Sequence, residues 1–421
     1  MSEIINSKRN ITFISTPFIG HFNTLFQYAS EILSYSHDTK ITFIITGWAN
    51  ITLSDDIKRL AAAHNINLIE IYDDVYAPTT EQAGPFYFTF PRVASYVDKV
   101  IEACRHTECI IYDHFSLEGY IAGKHLNIPS ICSTASIMGP FYRDNQLFCQ
   151  AMAWNQAHIE CLEEKFKITL MNKIQMLGDG FYIPSDEQNI LWSWPALTQV
   201  SDYHHDRELN NITFMRPANV SNNESHDYSH IITHLKHTEK KIIYISFGTI
   251  VTRLLYDGIP ALKKFLDNIY SFLLSHYADH PDYEFVISTG VKEHELFNDV
   301  ADNFHIYEYV PQRDILKHAD VFITHGGGNS INESIDADVP VIVIPFFGDQ
   351  HQSAENAAKL NIGISMMHDE KCKDKVIDSG SGIYDRESLS DLHVLAQAIH
   401  DVISNDEMKH AISEVKQRGH I

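Results

Sequence analysis

The sequence predicts an α/β protein made of two doubly wound parallel-sheet domains joined by a linker. Three observations predict it. Short apolar runs alternate with segments of helical periodicity, and this series occurs twice. A polar, irregular stretch over about 186–241 separates the two series, and 217–228 (PANVSNNESHDY) is its least core-like part. The 421 residues, 44% of them hydrophobic, can bury two or three cores at roughly 150 residues per domain.

In the first series, 11–15 (ITFIS) is a buried-type strand that ends in the turn Thr16-Pro17-Phe18-Ile19-Gly20. Phe22, Leu25, Phe26, Ala29, Ile32 and Leu33 then recur at helical spacing. Further strands are expected at 40–46, 67–72, 109–112 and 129–133, followed by a mainly helical stretch over 138–177. The second series places strands at 241–246, 285–288, 305–309, 320–324 and 340–344. Helices fall at 260–276, around Glu333, and at 349–360. The domain division is therefore 1–216, a linker at 217–240, and 241–386, with helices over 387–421 expected to pack back on the first domain.

Composition excludes several classes. With 32 basic and 55 acidic residues the net charge is −23, which leaves no basic groove to follow a nucleic acid. The apolar content excludes disorder and fibrous classes. The start MSEIINSKRNITFIST lacks an apolar leader core, and no segment approaches the roughly 20 apolar residues of a membrane span. Six cysteines (Cys104, Cys109, Cys132, Cys149, Cys161, Cys372) contain no C-x-x-C pair, which favours reduced thiols over disulfides or zinc. A cytoplasmic protein is expected.

Ligands of open α/β sheets bind beyond the carboxyl ends of the strands, so chemistry is sought at strand-to-helix turns. At one such turn Thr324-His325-Gly326-Gly327-Gly328-Asn329-Ser330 follows a buried strand and opens a helix. Glycines permit close backbone approach, and the first-turn N–H groups attract an anion. Glu333 shares the helical face of Asn329 and Ser330 and suits a ribose hydroxyl. The plain alternative is a turn whose Asn329 or Ser330 caps the helix. Neither a Walker loop nor G-x-G-x-x-G is present.

From Tyr309 to Asn356 the sequence resembles, without a gap, the signature of the family 1 UDP-glycosyltransferases. This group contains plant secondary-product glucosyltransferases, animal UDP-glucuronosyltransferases and bacterial macrolide glycosyltransferases. The matching positions are Pro311-Gln312, Leu316, His318, Thr324-His325, Gly327, Asn329-Ser330, Glu333, Val339-Pro340, Pro345 and Asp349-Gln350. Ser246-Phe247-Gly248-Thr249 resembles the family's SFGS turn, and Pro17 to His21 its P-x-x-G-H. The resemblance implies the GT-B fold, two facing Rossmann-like domains with a deep interdomain cleft. It departs at Asp338, where the family usually has glycine, and at Arg216 before Pro217, where Gly-Pro is common.

Carried over by position, the resemblance implies that Gln312 and the Val310 backbone meet uracil, with Tyr309 in the place of a stacking tryptophan. His325, Gly327, Asn329, Ser330 and Thr249 would hold the diphosphate, Glu333 the ribose, and Asp349 and Gln350 the sugar hydroxyls. Asp349 also reads as half of a helix capping box with Gln352. His21, at the turn after the first strand, would be the general base, and Asp113, at the end of the strand 109–112, its orienting partner. An apolar acceptor pocket is expected within 85–194, with Phe86, Phe88, Phe141 and Trp154 as lining candidates, although each aromatic also reads as core.

The expected function is inverting transfer of a glucose-like hexose from a UDP-sugar to a hydroxyl of a small, largely apolar acceptor. No metal or further cofactor is implied, the UDP-sugar being a co-substrate. Asp336-Ala337-Asp338 matches the string of a metal-holding D-x-D but falls at the far end of its helix. The alternatives are a UDP-sugar epimerase and a non-catalytic nucleotide-sugar binding protein.

Overall fold

Strands covered on both faces must be apolar on both, and this sets the centre of each sheet. In the computed structural model of the chain, β1 (Asn10–Ser15) is buried after its first residue, and β4 (Cys109–Asp113) and β5 (Ser130–Thr134) are buried throughout. The structure describes residues 5, 8–36, 38–47, 53–73, 85–178, 180–216, 227–290, 295–366 and 392–419. Contacts divide the chain into two units, Met1–Ser193 with Asp202–Asn222, and Trp194–Ser201 with Asn223–Ile421.

The first unit runs β1, α1 (Ile19–Tyr35), β2 (Lys40–Gly47), α2 (Asp55–Ala63), β3 (Asn67–Tyr72), α3 (Pro85–Ala103), β4, α4 (Leu117–Leu126), β5, α5 (Gln146–Phe166), the hairpin β6 (Gln175–Leu177) and β7 (Gly180–Tyr182), β8 (Gln188–Trp192), and, after α6 (Pro195–Gln199), β9 (Ile212–Met215). Its seven-stranded parallel sheet has the order β3-β2-β1-β4-β5-β8-β9. The apolar stripe of α1, with Phe22, Leu25, Phe26, Ala29 and Ile32, closes over Phe13 and Phe43, whose rings stack at 4.9 Å.

The second unit contains α7 (Ser229–His237), β10 (Lys241–Ser246), α8 (Pro260–His276), β11 (Tyr283–Ser288), β12 (Phe304–Tyr307), α9 (Gln312–Leu316), β13 (Val321–Thr324), α10 (Gly328–Asp336), β14 (Val341–Val343), α11 (Gln350–Lys359), β15 (Gly363–Ser365), α12 (His393–Ser404) and α13 (Asp406–Arg418). Its six-stranded parallel sheet has the order β12-β11-β10-β13-β14-β15. In each sheet the strand order reverses once, between β1 and β4 and between β10 and β13. These reversals are where an open sheet offers a ligand crevice.

The strands expected in both series are present, and four expectations differ. The stretch after Asp186 is not irregular: β8 and β9 extend the first sheet. β9 is an edge strand, partly exposed along its length, so it lacks an apolar run. The helical stretch 138–177 reduces to α5 followed by the β6–β7 hairpin. Part of the linker 217–240 lies outside the described residues, but α7 fills 229–237 and buries Ile231 and Leu235. The helices of 387–421, described from 392, pack with the second unit instead of the first. Leu395, Ile399 and Val402 join its core, and α13 lies against α10 and α6.

Asp338 takes the left-handed conformation a glycine would favour, φ 61°, and its carboxylate pairs with Lys416 Nζ at 2.7 Å.

Candidate active site

In the first unit the reversal joins the ends of β1 and β4, with Ile14 in register with Tyr112. The next residues are the turn to α1 and Asp113. His21 in the first turn of α1 therefore meets Asp113, its Nδ1 lying 2.8 Å from Oδ1. With its proton on Nδ1, the ring keeps Nε2 as a base. Asp113 is 1% exposed, and its Oδ2 accepts from Phe115 N at 3.3 Å and Thr16 Oγ1 at 3.5 Å. Burial alone would raise its pKa, but His21 and His114 outweigh that and hold it well below the usual carboxylate range. Thr24 Oγ1 donates to the His21 carbonyl at 2.8 Å and steadies that turn.

Two neighbours of this pair were missed in the sequence. His114 is buried, with Nδ1 3.1 Å from Asp113 Oδ1 but without hydrogen-bond alignment, and its Nε2 reaches Ser136 Oγ at 3.1 Å. Its ring stacks on that of His21 at 5.0 Å, and Phe115 stacks on His21 at 5.3 Å. The adjacent Asp113-His114 at a strand end was the available signal.

In the second unit the reversal joins β10 to β13, Ser246 being in register with Thr324. The next residues are Gly248-Thr249 and His325. Gly248 has φ 74°, and a Cβ there would sit 2.5 Å from His325 Cε1; a Cβ on Gly327 would sit 2.5 Å from His325 Nε2. The imidazole thus fills a slot that both glycines leave open. Burial pushes the His325 pKa down to about 4, although a hydrogen bond to the Ser246 carbonyl works the other way. The ring is neutral at pH 7. Thr249 is exposed at the start of a π-helical turn, Ile250–Leu255.

The N-cap of α10 is Gly327, with no side-chain cap, so neither Asn329 nor Ser330 is the cap residue. The first-turn N–H groups keep the positive end of the helix for an anion. Glu333, one turn on, accepts from Gln312 Nε2 at 2.7 Å and pairs with Arg313 Nε at 3.3 Å. Its burial raises its pKa against the pull of Arg313 and Gln312. Gln312 also reaches Ser330 Oγ at 3.3 Å and accepts from Tyr244 Oη at 3.2 Å. Gln312 and Glu333, assigned to base and ribose, are thus gathered by β10, α9 and α10 into one hydrogen-bonded group. Arg313 and Tyr244 were not anticipated. Val310 is buried, and the half-buried Tyr309 lies 6.5 Å from the Tyr228 ring.

Asp349 precedes α11 without a side-chain cap hydrogen bond, and Gln352 donates instead to Asn356, so the capping box is not formed. Gln350 is buried, and its Oε1 accepts from the backbone N–H of Phe346 at 2.8 Å and Phe347 at 3.2 Å. Its carbonyl fastens the loop that carries Asp349. Of the acceptor-pocket candidates, Phe141 is a core residue packed edge-on against Phe148 at 4.8 Å with Arg207 over its ring, whereas Trp154 stands 65% exposed on α5. The side chains of Phe86 and Phe88 lie outside the described residues.

Residues 197–380 match the family model described as UDP-glucoronosyl and UDP-glucosyl transferase. Over this part of its length the chain is similar to the family 1 UDP-glycosyltransferases. It is 26% identical over 319 residues to the uncharacterized UDP-glucosyltransferase YdhE of Bacillus subtilis, covering 73% of this chain and 69% of that one. Among solved structures it is similar to the Medicago truncatula UGT71G1 complexed with UDP-glucose, at TM-score 0.70 and 17% identity over 99% of this chain and 95% of that one. It is also similar to the glycotransferase of kitacinnamycin, at TM-score 0.69 and 17% identity over 97% and 94%. These likenesses show the GT-B fold. As a UDP-glycosyltransferase the protein is an enzyme, and the family match spans the Gly248–Thr249 turn, His325, α10 and Asp349. Among the described residues no helix is long and apolar enough to cross a membrane.

Proposed function

We propose that this UDP-glycosyltransferase moves a glucose-like hexose from a UDP-sugar to a hydroxyl of a small, largely apolar acceptor, with inversion at the anomeric carbon. The observation that carries the reading is the contact of the partly buried His21 with the buried Asp113 at 2.8 Å. His21 Nε2 takes the acceptor proton as the acceptor oxygen attacks the anomeric carbon and the bond to UDP breaks. Asp113 fixes the tautomer and stabilises the imidazolium that forms. Inversion follows from a single displacement.

On the donor side, Gln312 and the Val310 backbone take uracil beside Tyr309, and Glu333 takes the ribose. Departing diphosphate charge is held by the first turn of α10, with Asn329, Ser330, Thr249 and the Gly327 backbone. A neutral His325 contributes a hydrogen-bonding dipole there, not a cation. No metal is required in this scheme, because helix amides aimed at the diphosphate supply the stabilisation. Asp349 contacts the sugar hydroxyls; Gln350 joins it through its amide N–H while its carbonyl keeps the loop in place. A cytoplasmic setting fits the free thiols of Cys104, Cys109, Cys132, Cys149 and Cys161.

His21→Ala should lower transfer by ~10² to 10⁴-fold while leaving UDP affinity within about twofold. UDP release assayed with a panel of hydroxylated aromatics, sterols and macrolides, alongside calorimetry with UDP, reads both. Undiminished transfer in the variant would remove His21 as the base. UDP-sugar turnover without any acceptor would favour an epimerase, and UDP binding without turnover a non-catalytic binding protein.

A further inference from the structure

We propose that His234, Glu284 and His305 form a binding site for one divalent transition-metal ion, zinc by preference, on the outer edge of the second unit's sheet. The three side chains come from α7, β11 and β12, and one donor atom of each lies within 4.8 Å of the others. β11 and β12 are paired with Val286 opposite His305, so Glu284, two residues before Val286, shares the face of His305. His234 Nε2 is 2.7 Å from Glu284 Oε2, and His305 Nε2 is 3.5 Å from the same oxygen.

The geometry is close to what zinc needs. Tetrahedral bonds of about 2.0–2.2 Å put neighbouring donor atoms roughly 3.3 Å apart. The His305 contact already has that spacing. The His234 contact is a hydrogen bond that must open by about 0.6 Å, and this ring is 48% exposed. An ion there replaces the proton that His234 and Glu284 share. Two imidazoles and one carboxylate suit zinc or its neighbours better than magnesium or calcium, which prefer oxygen ligands.

Two further features point to a ligand. His305 Nε2 is buried and has no hydrogen-bond partner. The other carboxylate oxygen of Glu284, Oε1, is held by Thr238 Oγ1 at 3.2 Å and Lys240 Nζ at 3.6 Å, so the carboxylate is turned with Oε2 toward the two rings. Such supporting contacts orient a metal ligand. Lys240 is a repulsive neighbour, but it sits on the far oxygen.

An ion here would fasten α7 to the β11–β12 edge. His230 on α7 reaches Tyr307 Oη at 3.1 Å, and the Tyr228 ring lies beside Tyr307 and Tyr309. The ion would therefore brace the segment that leads into Tyr309 and Gln312. It stands apart from the proposed transfer chemistry and does not depend on it.

The test uses the full chain stripped with chelator and dialysed, then titrated with Co²⁺ or Zn²⁺ by calorimetry and by the visible absorption of Co²⁺. One tight equivalent per chain is expected, together with a zinc-dependent rise in the thermal midpoint. His234→Gln, at an exposed position that should not disturb folding, should weaken binding at least tenfold and cancel that rise; Glu284→Gln should do the same. Absence of a saturable equivalent would overturn the proposal. So would binding that survives His234→Gln unchanged, or that is lost instead in Asp113→Asn, which would place the ion at the His21–Asp113–His114 cluster.

Discussion

His21 and His325 occupy equivalent places in the two units, yet their surroundings prepare them for opposite tasks. Each lies just past the carboxyl end of a central parallel strand, at the point where its sheet reverses order. His21 faces a buried carboxylate 2.8 Å away, whose negative charge lies against its Nδ1. His325 is wedged between Gly248 and Gly327 against a backbone carbonyl, and burial holds its pKa at about 4. One ring is equipped to accept a proton, the other to refuse one. The fold selects the location; the neighbouring groups select the chemistry.

The largest effect should come from removing the carboxylate that makes the difference. Asp113→Asn keeps the shape but cancels the charge and allows the wrong tautomer, so transfer should fall by ~10² to 10⁴-fold, about as far as for His21→Ala. Steady-state rates at saturating donor, with UDP affinity as the control, read this directly. Wild-type rates in the variant would reduce Asp113 to a packing residue and dissolve the contrast between the two histidines.

Gly248→Ala attacks the other side of the comparison. At φ 74° alanine is strained, and its Cβ would lie 2.5 Å from the His325 ring. A loss of about 1–3 kcal/mol in stability is expected, with UDP affinity reduced by about tenfold or more as His325 is displaced. Unchanged UDP binding in calorimetry would show that the ring's seat does not matter to the donor site.

Much of this was legible in the sequence because central strands and strand-end turns announce themselves. ITFIS, CIIY and VFIT are largely apolar runs, and the motif residues follow them by a few positions, so His21, Asp113 and His325 could be placed at strand ends. Edge elements were not legible. β9 is partly exposed on both faces and shows no run, and α6 lies inside the first series yet packs with the second unit, a long-range contact that no local period encodes. Aromatic content misled for a similar reason. Phe141 and Trp154 look alike as pocket linings, but one is core and the other is exposed, and which face of a segment is covered depends on its neighbours. Arg313 escaped because its partner Glu333 is twenty residues on and meets it only through the packing of α9 against α10.

The smallest expected effect tests the neutrality of His325 by its pH signature. Its folded pKa of about 4 lies below the ~6.5 of an unfolded histidine, so between these values the unfolded chain binds the proton more readily. This contribution to stability is fully present above pH ~6.5 and is lost as the pH falls toward 4, by at most about 3 kcal/mol. Asp113 is shifted in the same direction but from a lower starting value: its carboxyl is held low, so its contribution persists across that window and is lost only in stronger acid. His325→Gln removes the titration while keeping a polar side chain in the slot. Urea unfolding at pH 7, 5.5 and 4 should therefore show wild type losing more stability on acidification than the variant, whatever constant offset separates them at pH 7. Parallel losses would mean that His325 takes up its proton in the folded state as easily as in the unfolded one. The slot between the glycines would then be a solvated pocket holding a histidine able to charge.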